Sequence, residues 1–313
     1  MSTLLSVIIC TYNRAALLAK CLDSLIEQKL DSYSFEVVVV DNNSSDNTGE
    51  LITRYKTMLP NIRYVFEGNQ GLSYARNRGC AEAVAKYLVY LDDDAIAPPH
   101  YLMSVTRIIE DHSPDIMGGP VYPYYTSKKP RWFKDEYEIR EYETQSGFSR
   151  TCSISGGNYI IKKRILESLG LFDVNLGMRG NSIGIGEERK VLETYRATTP
   201  EDAQKVYYAL ECYVKHHVPA YKMKISYIMK RCYASGRSSQ KISAVYAVKS
   251  DSAGETKVLL FFINLCGKGI SRIFTHLKRH GLRGVDYIQV SRKCFVYLGT
   301  ITGMLDNTMR RKR

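Results

Sequence analysis

The sequence predicts an α/β protein with a mostly parallel, doubly wound sheet. Short apolar runs alternate with helix-like segments between residues 4 and 91, and three of these runs end in clusters of polar side chains. Strands and helices that alternate in this order form a parallel sheet covered on both faces. With 313 residues, 44% of them hydrophobic, the chain is long enough for one large domain and an appendage.

The first part of the chain contains four predicted strands with three helices between them. The strand segments are short, apolar and rich in branched residues, which is typical of strands buried on both faces. The helical segments place apolar residues three and four positions apart. The predicted strands are Leu4–Cys10, Phe35–Val40, Ile62–Phe66 and Tyr87–Leu91, and the predicted helices are Ala15–Gln28, Thr48–Met58 and Ser73–Ala85.

Three consecutive carboxylates, Asp92, Asp93 and Asp94, follow the fourth predicted strand. Adjacent like charges resist burial, so we expect a positive group beside them. Asp92 and Asp94 should point the same way, because side chains alternate along an extended backbone. Two carboxylates on one side suit a hard divalent cation of the kind that also holds a diphosphate. A solvated acidic turn is the alternative interpretation.

Polar clusters follow three of the predicted strands, at Thr11–Arg14, Asp41–Ser44 and Asp92–Asp94. Ligands of doubly wound sheets bind at the carboxyl ends of the strands, where these clusters should meet. The chain has no G-x-G-x-x-G after the first strand and no G-x-x-x-x-G-K-[ST]. A dinucleotide-dependent enzyme and a P-loop NTPase are therefore disfavoured.

Positive charge is concentrated near the C-terminus. The formal net charge is +12, and residues 256–313 contain 12 Lys and Arg against two Asp, so this segment carries +10. Its apolar runs, Val258–Cys266 and Cys294–Leu305, are too short to span a bilayer. Apolar faces beside basic clusters favour a helix that lies in an anionic membrane interface. Packing on the rest of the protein is the second interpretation, and nucleic acid the third, since aliphatic runs are unlike a phosphate-binding arm.

The eight cysteines form no C-x-x-C pair, and the N-terminus has no basic leader. Both features favour a reducing, cytoplasmic setting. Together with the basic tail, they predict a cytoplasmic protein that is peripheral on the inner face of a membrane.

Four motifs resemble those of the inverting family 2 glycosyltransferases with the GT-A fold. They are S-V-I-I-C-T-Y-N-R from Ser6, V-V-V-V-D-N-N-S-S-D-N-T from Val37, G-N-Q-G-L-S-Y-A-R-N-R-G from Gly68 and Y-L-D-D-D-A-I-A-P-P from Tyr90. Their order and spacing match the family, and the resemblance covers roughly residues 4–235.

The resemblance implies a GT-A catalytic domain at 1–240. The charge and apolar runs of the segment that follows predict a basic, amphipathic helical tail at 241–313 that associates with a membrane. Within the catalytic domain, 1–115 would be the nucleotide-binding half and 116–240 the acceptor half.

The resemblance also implies a donor site. Tyr12 would stack on the base and Asp41 would accept hydrogen bonds from it, which suits a pyrimidine such as uracil. Asp92 would contact the ribose side, and Asp93 the donor sugar or a helix cap. Arg76 would face the nucleotide or diphosphate, with a surface arginine as the alternative. The full set implied for the nucleotide sugar is Thr11, Tyr12, Asn13, Arg14, Asp41, Asn43, Gly71, Arg76, Asp92, Asp93, Gly157 and Asn158.

The implied metal is Mn²⁺ or Mg²⁺, with Asp94 as a ligand. The resemblance places a histidine nearby, and the pair His216-His217 supplies two candidates. We predict His217 as the ligand, since neutral imidazole is a reasonable third donor. A structural histidine is the alternative.

The acceptor side is expected in the second half of the catalytic domain. Aromatic residues interleaved with Lys and Arg between 118 and 150, Trp132 among them, suit sugar rings; a satellite hydrophobic cluster is the alternative. Ser153–Ile161 resembles the family's glycine-rich strand beside the donor sugar: Gly156 and Gly157 would allow close approach, and Asn158 would bind sugar hydroxyls.

The segment from Phe172-Asp173 to Gly186-Glu-Glu resembles the family's F-D…G-E-D, with Glu188 where Asp is common. The resemblance selects Glu188 as the catalytic base and puts Glu187 on the acceptor side, while a helix cap is the alternative for each.

The predicted function is metal-dependent sugar transfer, with inversion, from a nucleotide diphosphate donor, with UDP favoured. The acceptor would be a hydroxyl of a carbohydrate or lipid-linked molecule in the synthesis of a surface or exported polysaccharide, and no nucleic acid would bind. One alternative is a nucleotidyltransferase, which would need a glycine- and lysine-rich phosphate loop after the first strand, absent here. Another is a non-catalytic nucleotide-sugar-binding protein.

Overall fold

A computed structural model describes residues 5–30, 34–180, 182–246, 292, 295–296 and 298–303. The chain divides into two compact units. The first contains the described residues up to Ser182 together with Glu187–Ala220, and the second contains Ile183–Gly186 and the described residues from Tyr221 onward. The predicted boundary at 240 falls inside a helix of the second unit, and the division into catalytic domain and tail stays a prediction.

The first unit is built on an eight-stranded mixed sheet with the order β3-β2-β1-β4-β9-β6-β10-β8. Three further strands, β5, β11 and β7, form a smaller sheet in that order. The strands are β1 (Leu5–Thr11), β2 (Phe35–Asp41), β3 (Ile62–Phe66), β4 (Tyr87–Asp92), β5 (Ala95–Ile96), β6 (Ile116–Gly118), β7 (Val121–Tyr124), β8 (Gly147–Phe148), β9 (Asn158–Lys162), β10 (Val206–Tyr208) and β11 (Val214–His217).

The predicted mostly parallel sheet is confirmed. β1 lies between β2 and β4, parallel to both, and β3 continues the parallel set beyond β2. β9 is antiparallel to its neighbours β4 and β6, whereas β10 is again parallel to β6. The segment from 206 to 217 forms two strands, β10 in the large sheet and β11 in the small one.

Six helices belong to the first unit, counting the described residues. Each of the three predicted helices forms. Its C-terminal end lies two or three residues before the predicted end. Asp46 binds the N-terminus of the first helix, since the Ala15 backbone N–H donates to its carboxylate at 3.0 Å. The helices are α1 (Ala15–Ile26), α2 (Thr48–Tyr55), α3 (Leu72–Glu82), α4 (Tyr101–His112), α5 (Lys163–Ser168) and α6 (Glu187–Thr198).

Alternate residues of the central strands fill two hydrophobic cores, one on each face of the sheet. Val7 and Ile9 of β1 belong to one core and Ile8 to the other. All seven residues of β2 are buried. The prediction that the strands are buried on both faces therefore holds for β1, β2 and β4, whose carboxyl ends remain available for polar chemistry. It is wrong for β3, an edge strand that leaves Tyr64 and Phe66 exposed.

The second unit contains α7 (Ile225–Tyr246). Described residues between 292 and 303 are helical and pack against α7: a Cβ on Gly236 would collide with the Val296 carbonyl, and one on Gly299 with the Tyr233 carbonyl. Within the described part of the chain, no helix is both long and apolar enough to cross a membrane. The predicted apolar run Val258–Cys266 lies outside the described residues.

Candidate active site

Asp92, Asp94 and His216 form the centre of the candidate site. Asp92 ends β4, and Asp94 lies in the turn between β4 and β5. β11 pairs with β5, which sets His216 opposite Ala95. The His216 Nε2 atom lies 3.0 Å from Asp94 Oδ1 and 3.6 Å from Asp92 Oδ2. One ligand atom from each residue lies within 4.8 Å of the other two, so the three side chains enclose a space that fits a single ion.

The prediction that His217, rather than its neighbour, faces the metal is wrong in this structure. Its Nε2 lies 2.7 Å from the Thr126 hydroxyl and its ring packs against Tyr124. Adjacent strand residues point to opposite faces, so only one of the two histidines can face the carboxylates, and the pairing of β11 with β5 selects His216.

Asp93 is directed into the protein. Its carboxylate accepts hydrogen bonds from the Thr11 hydroxyl at 2.9 Å and from Arg14 at 3.1 Å. Burial raises the pKa of Asp93 to about 7, although Arg14 lowers it. Asp93 is buried, and these contacts hold it against Thr11 and Arg14. Its expected contact with the donor sugar or a helix cap stays a prediction. Arg14 also lies 3.5 Å from Asp94. It therefore supplies part of the positive charge that was expected beside the three consecutive carboxylates.

The loops after β1 and β2 are joined beside this centre. The Asn13 side chain accepts a hydrogen bond from the Ser45 backbone, and the Asn13 backbone donates to the Ser44 hydroxyl. Asp41, at the end of β2, accepts from the Ser44 backbone N–H and the Tyr64 hydroxyl, both at 2.8 Å. These contacts orient the Asp41 carboxylate, which has capacity for further hydrogen bonds.

The remaining donor-side residues differ in exposure. Tyr12 is partly exposed, and Asn13 and Asn43 are exposed with positive φ angles of 53° and 67°. Gly71 precedes α3 at φ 148°, a conformation that favours glycine. Its backbone N–H donates to Asn42 at 2.7 Å.

Arg76 is neither a surface residue nor directed only toward a ligand. It is 4% exposed, donates to Glu187 at 2.5 Å and to the Gly156 carbonyl at 3.0 Å, and lies 3.6 Å from Asp92. Its guanidinium also lies 5.5 Å from the Phe172 ring. Arg76 therefore joins the end of β4 to the start of α6.

Glu187 and Glu188 begin α6 and have different surroundings. Glu187 is buried against Arg76, whereas Glu188 is partly buried. Burial, and next the Glu188 carboxylate, raise the pKa of Glu187 to about 8, while Arg76 lowers it. One permanent positive charge thus faces three carboxylates, those of Asp92, Glu187 and Glu188.

The glycines before β9 give the space that these side chains need. A Cβ on Gly157 would collide with the Asp92 carboxylate, and one on Gly156 would lie 2.9 Å from Arg76 and 3.3 Å from Glu188. Asn158, however, does not reach the site. It is fully buried, accepts from Tyr101 and donates to the Pro120 and Cys212 carbonyls, which contradicts the prediction that it binds sugar hydroxyls.

The aromatic segment forms a local cluster. Trp132 is partly exposed and packs edge-on against Phe133 at 5.6 Å, and Phe133 packs in the same way on Tyr137. Phe133 and Tyr137 are buried, which agrees with a satellite hydrophobic cluster for these two residues. Trp132 keeps an exposed edge, so its assignment to the acceptor side stays a prediction.

Sequence reasoning gave no role to Asn42 and Asp46, which organise the site from behind. Asn42 donates to the Glu67 and Asn69 carbonyls and accepts from Gly71, and Asp46 binds the start of α1. An asparagine directly after a buried strand, and an aspartate two residues before the start of α2, were the available signals.

The donor set at the centre fits a divalent ion. Carboxylates suit Mg²⁺ and Mn²⁺, and imidazole is a ligand for transition metals. Two carboxylates and one imidazole therefore favour Mn²⁺ over Ca²⁺, which prefers oxygen ligands alone.

Comparisons with known proteins agree with this geometry. The sequence model of the family described as Glycosyl transferase family 2 matches residues 6–170. A glucosyl-dolichyl phosphate glucuronosyltransferase of Haloferax volcanii is 23% identical over 255 residues, which are 79% of each chain.

Two solved structures are similar over most of the chain. S. aureus TarS 1–349 in complex with UDP-GlcNAc has a TM-score of 0.59 at 18% sequence identity. The matched region is 90% of this chain and 74% of the TarS chain. The mannosyltransferase PcManGT of Pyrobaculum calidifontis, in complex with GDP-Man and Mn²⁺, has a TM-score of 0.62 at 17% identity and covers 96% and 87%. At these identities the structural similarity establishes the fold, which is GT-A-like.

Proposed function

Because the chain belongs to glycosyl transferase family 2 and is a nucleotide-sugar glycosyltransferase, we propose that it transfers a sugar from a UDP-sugar to an acceptor hydroxyl with inversion, in a metal-dependent reaction. The observation that carries this proposal is the convergence of Asp92, Asp94 and His216 at the carboxyl end of β4. A nucleotide diphosphate needs a cation at such a position, because its charge must be neutralised when it leaves.

We propose that Asp92, Asp94 and His216 hold the metal. Tyr12 and Asp41 hold the nucleobase of the donor. The bound metal would polarise the phosphoryl oxygens of the leaving diphosphate. The fixed Asp41 carboxylate supports a base with an N–H donor at its edge, which uracil has. Uracil and guanine both offer such a donor, and TarS binds UDP-GlcNAc whereas PcManGT binds GDP-Man. Binding measurements with UDP- and GDP-sugars therefore decide between the two nucleotides.

The catalytic base in our proposal is Glu188. Inversion requires the acceptor oxygen to attack from the face opposite the leaving diphosphate, so the proton must pass to a group away from Asp92 and Asp94. Glu188 lies on α6, and its Oε2 atom is buried with no hydrogen-bond partner among the described residues. A carboxylate oxygen in that state can accept the proton of an incoming hydroxyl.

We further propose that the acceptor is a carbohydrate or a lipid-linked sugar in the synthesis of a surface or exported polysaccharide. The Haloferax relative is named for a glucosyl-dolichyl phosphate, which is a lipid-linked acceptor. The basic tail, with its net charge of +10, supports a peripheral location on the inner face of an anionic membrane. Phe295 and Leu298 are exposed apolar residues of that tail.

A donor panel tests the proposal. UDP- and GDP-sugars are added with Mn²⁺ or Mg²⁺, and thermal stabilisation identifies the donor, because a ligand that binds the native state raises stability by mass action. Transfer is then measured with free and lipid-phosphate-linked sugar acceptors, and NMR determines the anomeric configuration. Stabilisation by a UDP-sugar with metal, followed by an inverted product, is the expected result. A retained configuration contradicts inversion, and binding without turnover on any acceptor favours a non-catalytic sugar-binding protein.

A further inference from the structure

We propose that Glu187 is a positioning residue: through Arg76 it fixes the carboxylate of Glu188 relative to Asp92. This inference rests on the proposed function, because it assumes that Glu188 takes the acceptor proton. In this role Glu187 needs only a side-chain oxygen that accepts a hydrogen bond from Arg76. It needs neither a negative charge nor a proton transfer.

The contacts of Arg76 carry the inference. One nitrogen of its guanidinium donates to Glu187 Oε1, and the other donates to the Gly156 carbonyl and lies 3.6 Å from Asp92. A planar guanidinium reaches several acceptors in fixed directions. The end of β4, the loop before β9 and the first turn of α6 are therefore held at set distances by one buried side chain.

The position of Glu187 on α6 transmits this constraint to Glu188. Adjacent helix residues point about 100° apart, so a fixed first turn sets the direction in which the Cα–Cβ bond of Glu188 leaves the helix. That direction leads toward Gly156, where a Cβ would lie 3.3 Å from the Glu188 carboxylate carbon. Glu188 thus lies beside the loop that precedes β9, one residue from the glycine that contacts Asp92.

The two oxygens of Glu187 allow it to act without charge. Oε1 accepts from Arg76, and Oε2 is buried. Burial, and next the nearby Glu188 carboxylate, which can accept a hydrogen bond from a protonated Glu187, raise the pKa of Glu187. A proton on Oε2 therefore leaves the contact with Arg76 intact. Glutamine has the same oxygen acceptor and the same length, whereas alanine removes the acceptor.

The experiment compares Glu187→Gln with Glu187→Ala in the full-length chain. We expect Glu187→Ala to lower kcat about 10²-fold, since small misplacements of a catalytic group have effects of that size. Glu187→Gln should stay within about tenfold of wild type, because it keeps a somewhat weaker hydrogen bond. Thermal stabilisation by the donor with Mn²⁺ should be unchanged in both. Glu193→Gln is the matched control, since Glu193 is a half-buried carboxylate on the same helix whose partner is Arg189.

Gly156→Ala gives a second measurement if Glu187→Ala fails to fold. The new methyl group would lie 2.9 Å from Arg76, so we expect kcat to fall while donor binding is kept.

Three results would overturn the inference: wild-type kcat in Glu187→Ala, equal inactivation by Gln and Ala, or wild-type kcat in Gly156→Ala. Equal inactivation would make the charge of Glu187 itself essential. Failure of the proposed function gives a different result, namely no transfer by the wild-type chain with any donor.

Discussion

At the scale of single residues, Glu188 has the surroundings that a catalytic base requires. It begins α6, where the N-terminal end of the helix favours negative charge, and Tyr159 lies nearby with a buried hydroxyl that has no hydrogen-bond partner among the described residues. Burial, and next the charge of Glu188, raise the pKa of Tyr159. An acceptor hydroxyl or a water between Tyr159 and Glu188 would satisfy both groups.

We predict that Glu188→Gln keeps donor and acceptor binding and lowers turnover about 10²–10⁴-fold, the usual contribution of a general base. Glutamine preserves the shape of the side chain but cannot take a proton at neutral pH. Steady-state kinetics and donor calorimetry measure the two effects separately. Full activity in Glu188→Gln together with an inactive Glu187→Gln would move the base by one residue, and full activity in both would place it elsewhere.

We predict that Asp94→Ala abolishes turnover and the contribution of the metal to nucleotide binding, with the fold preserved. The change removes one of the three groups around the proposed ion, whose charge stabilisation amounts to several kcal/mol, or more than about 10²-fold in rate. Transfer assays with and without EDTA, and calorimetry with nucleotide and Mn²⁺, provide the measurement. Asp111→Ala, an exposed carboxylate on α4, should behave as wild type. Undiminished transfer in Asp94→Ala, or full wild-type activity in EDTA, would refute the metal site.

We predict that the free energy of unfolding of the metal-free protein falls as pH rises from about 5 to 8, and that Glu187→Gln flattens this fall. Native Glu187 keeps its proton up to a pKa of about 8, against an ordinary value of 4.5. The native state therefore binds more protons between these values, and the stability present at low pH is lost as pH rises through 8. Urea unfolding across this range measures the slope, and Glu193→Gln should leave it unchanged. An equal slope in wild type and Glu187→Gln would mean that Glu187 is already ionised.

The sequence predicts the position of a side chain correctly where the conformation of its own strand decides that position. Asp92 and Asp94 face one side, as alternation along the chain indicates. His216 could not be selected over His217 in the same way, because the choice depends on how β11 pairs with β5, and those strands are about 120 residues apart. Asn158 was assigned to the sugar for its type and neighbours, but β9 lies between β4 and β6 and buries it.

At the scale of elements, the parallel half of the sheet follows from the sequence and the remainder does not. Strands β1 to β4 have strong apolar patterns, and the helices between them predict parallel strands joined by right-handed crossovers. The order β3-β2-β1-β4 is not fixed by these patterns. The direction of β9 has no such local cause: its antiparallel pairing follows from the irregular segment between β7 and β9, whose aromatic residues show no clear period. The strands β10 and β11, of three and four residues, are too short to carry a pattern of their own.

We predict that Gly236→Ala destabilises the second unit although alanine is the better helix former. Helix propensity alone would stabilise α7 by up to about 1 kcal/mol. The new methyl group, however, would collide with the backbone of residues 296 and 300, and overpacking costs about 1–3 kcal/mol. Hydrogen exchange of amides at 292–303 and urea unfolding measure the result. Lys230→Ala, at an exposed position of α7, is the control; greater stability in Gly236→Ala would mean that this packing does not form in solution.

At the scale of the whole molecule, charge is divided unevenly. Residues 256–313 carry +10 of the net +12, so the segment that contains the candidate site is nearly neutral. Under the proposed function, a nearly neutral segment with the candidate site and a basic C-terminal segment would suit a soluble donor and an acceptor at an anionic surface. Most of the basic segment lies outside the described residues, so its function is best tested by its effect on binding.

We predict that a chain ending at Ala247 no longer binds anionic vesicles, whereas the full-length chain does. Each Lys or Arg close to an anionic surface contributes about 1 kcal/mol, and ten net charges beside exposed apolar residues such as Leu298 are enough for stable attachment. Binding by the full-length chain should weaken as salt is raised, because screening shortens the range of the attraction. Co-sedimentation with vesicles of neutral and of anionic lipid, at two salt concentrations, gives the measurement.

Truncation also removes the helical residues that pack on α7, so a second variant is needed. Replacing Arg310, Arg311, Lys312 and Arg313 by Gln keeps that packing and lowers the charge of the segment by four. This variant should bind anionic vesicles more weakly than wild type and transfer sugar to a soluble acceptor at the wild-type rate. Equal vesicle binding by all three chains would contradict the membrane proposal. An unfolded truncated chain, together with unchanged binding by the Gln variant, would instead assign the C-terminal segment to the folded body of the enzyme.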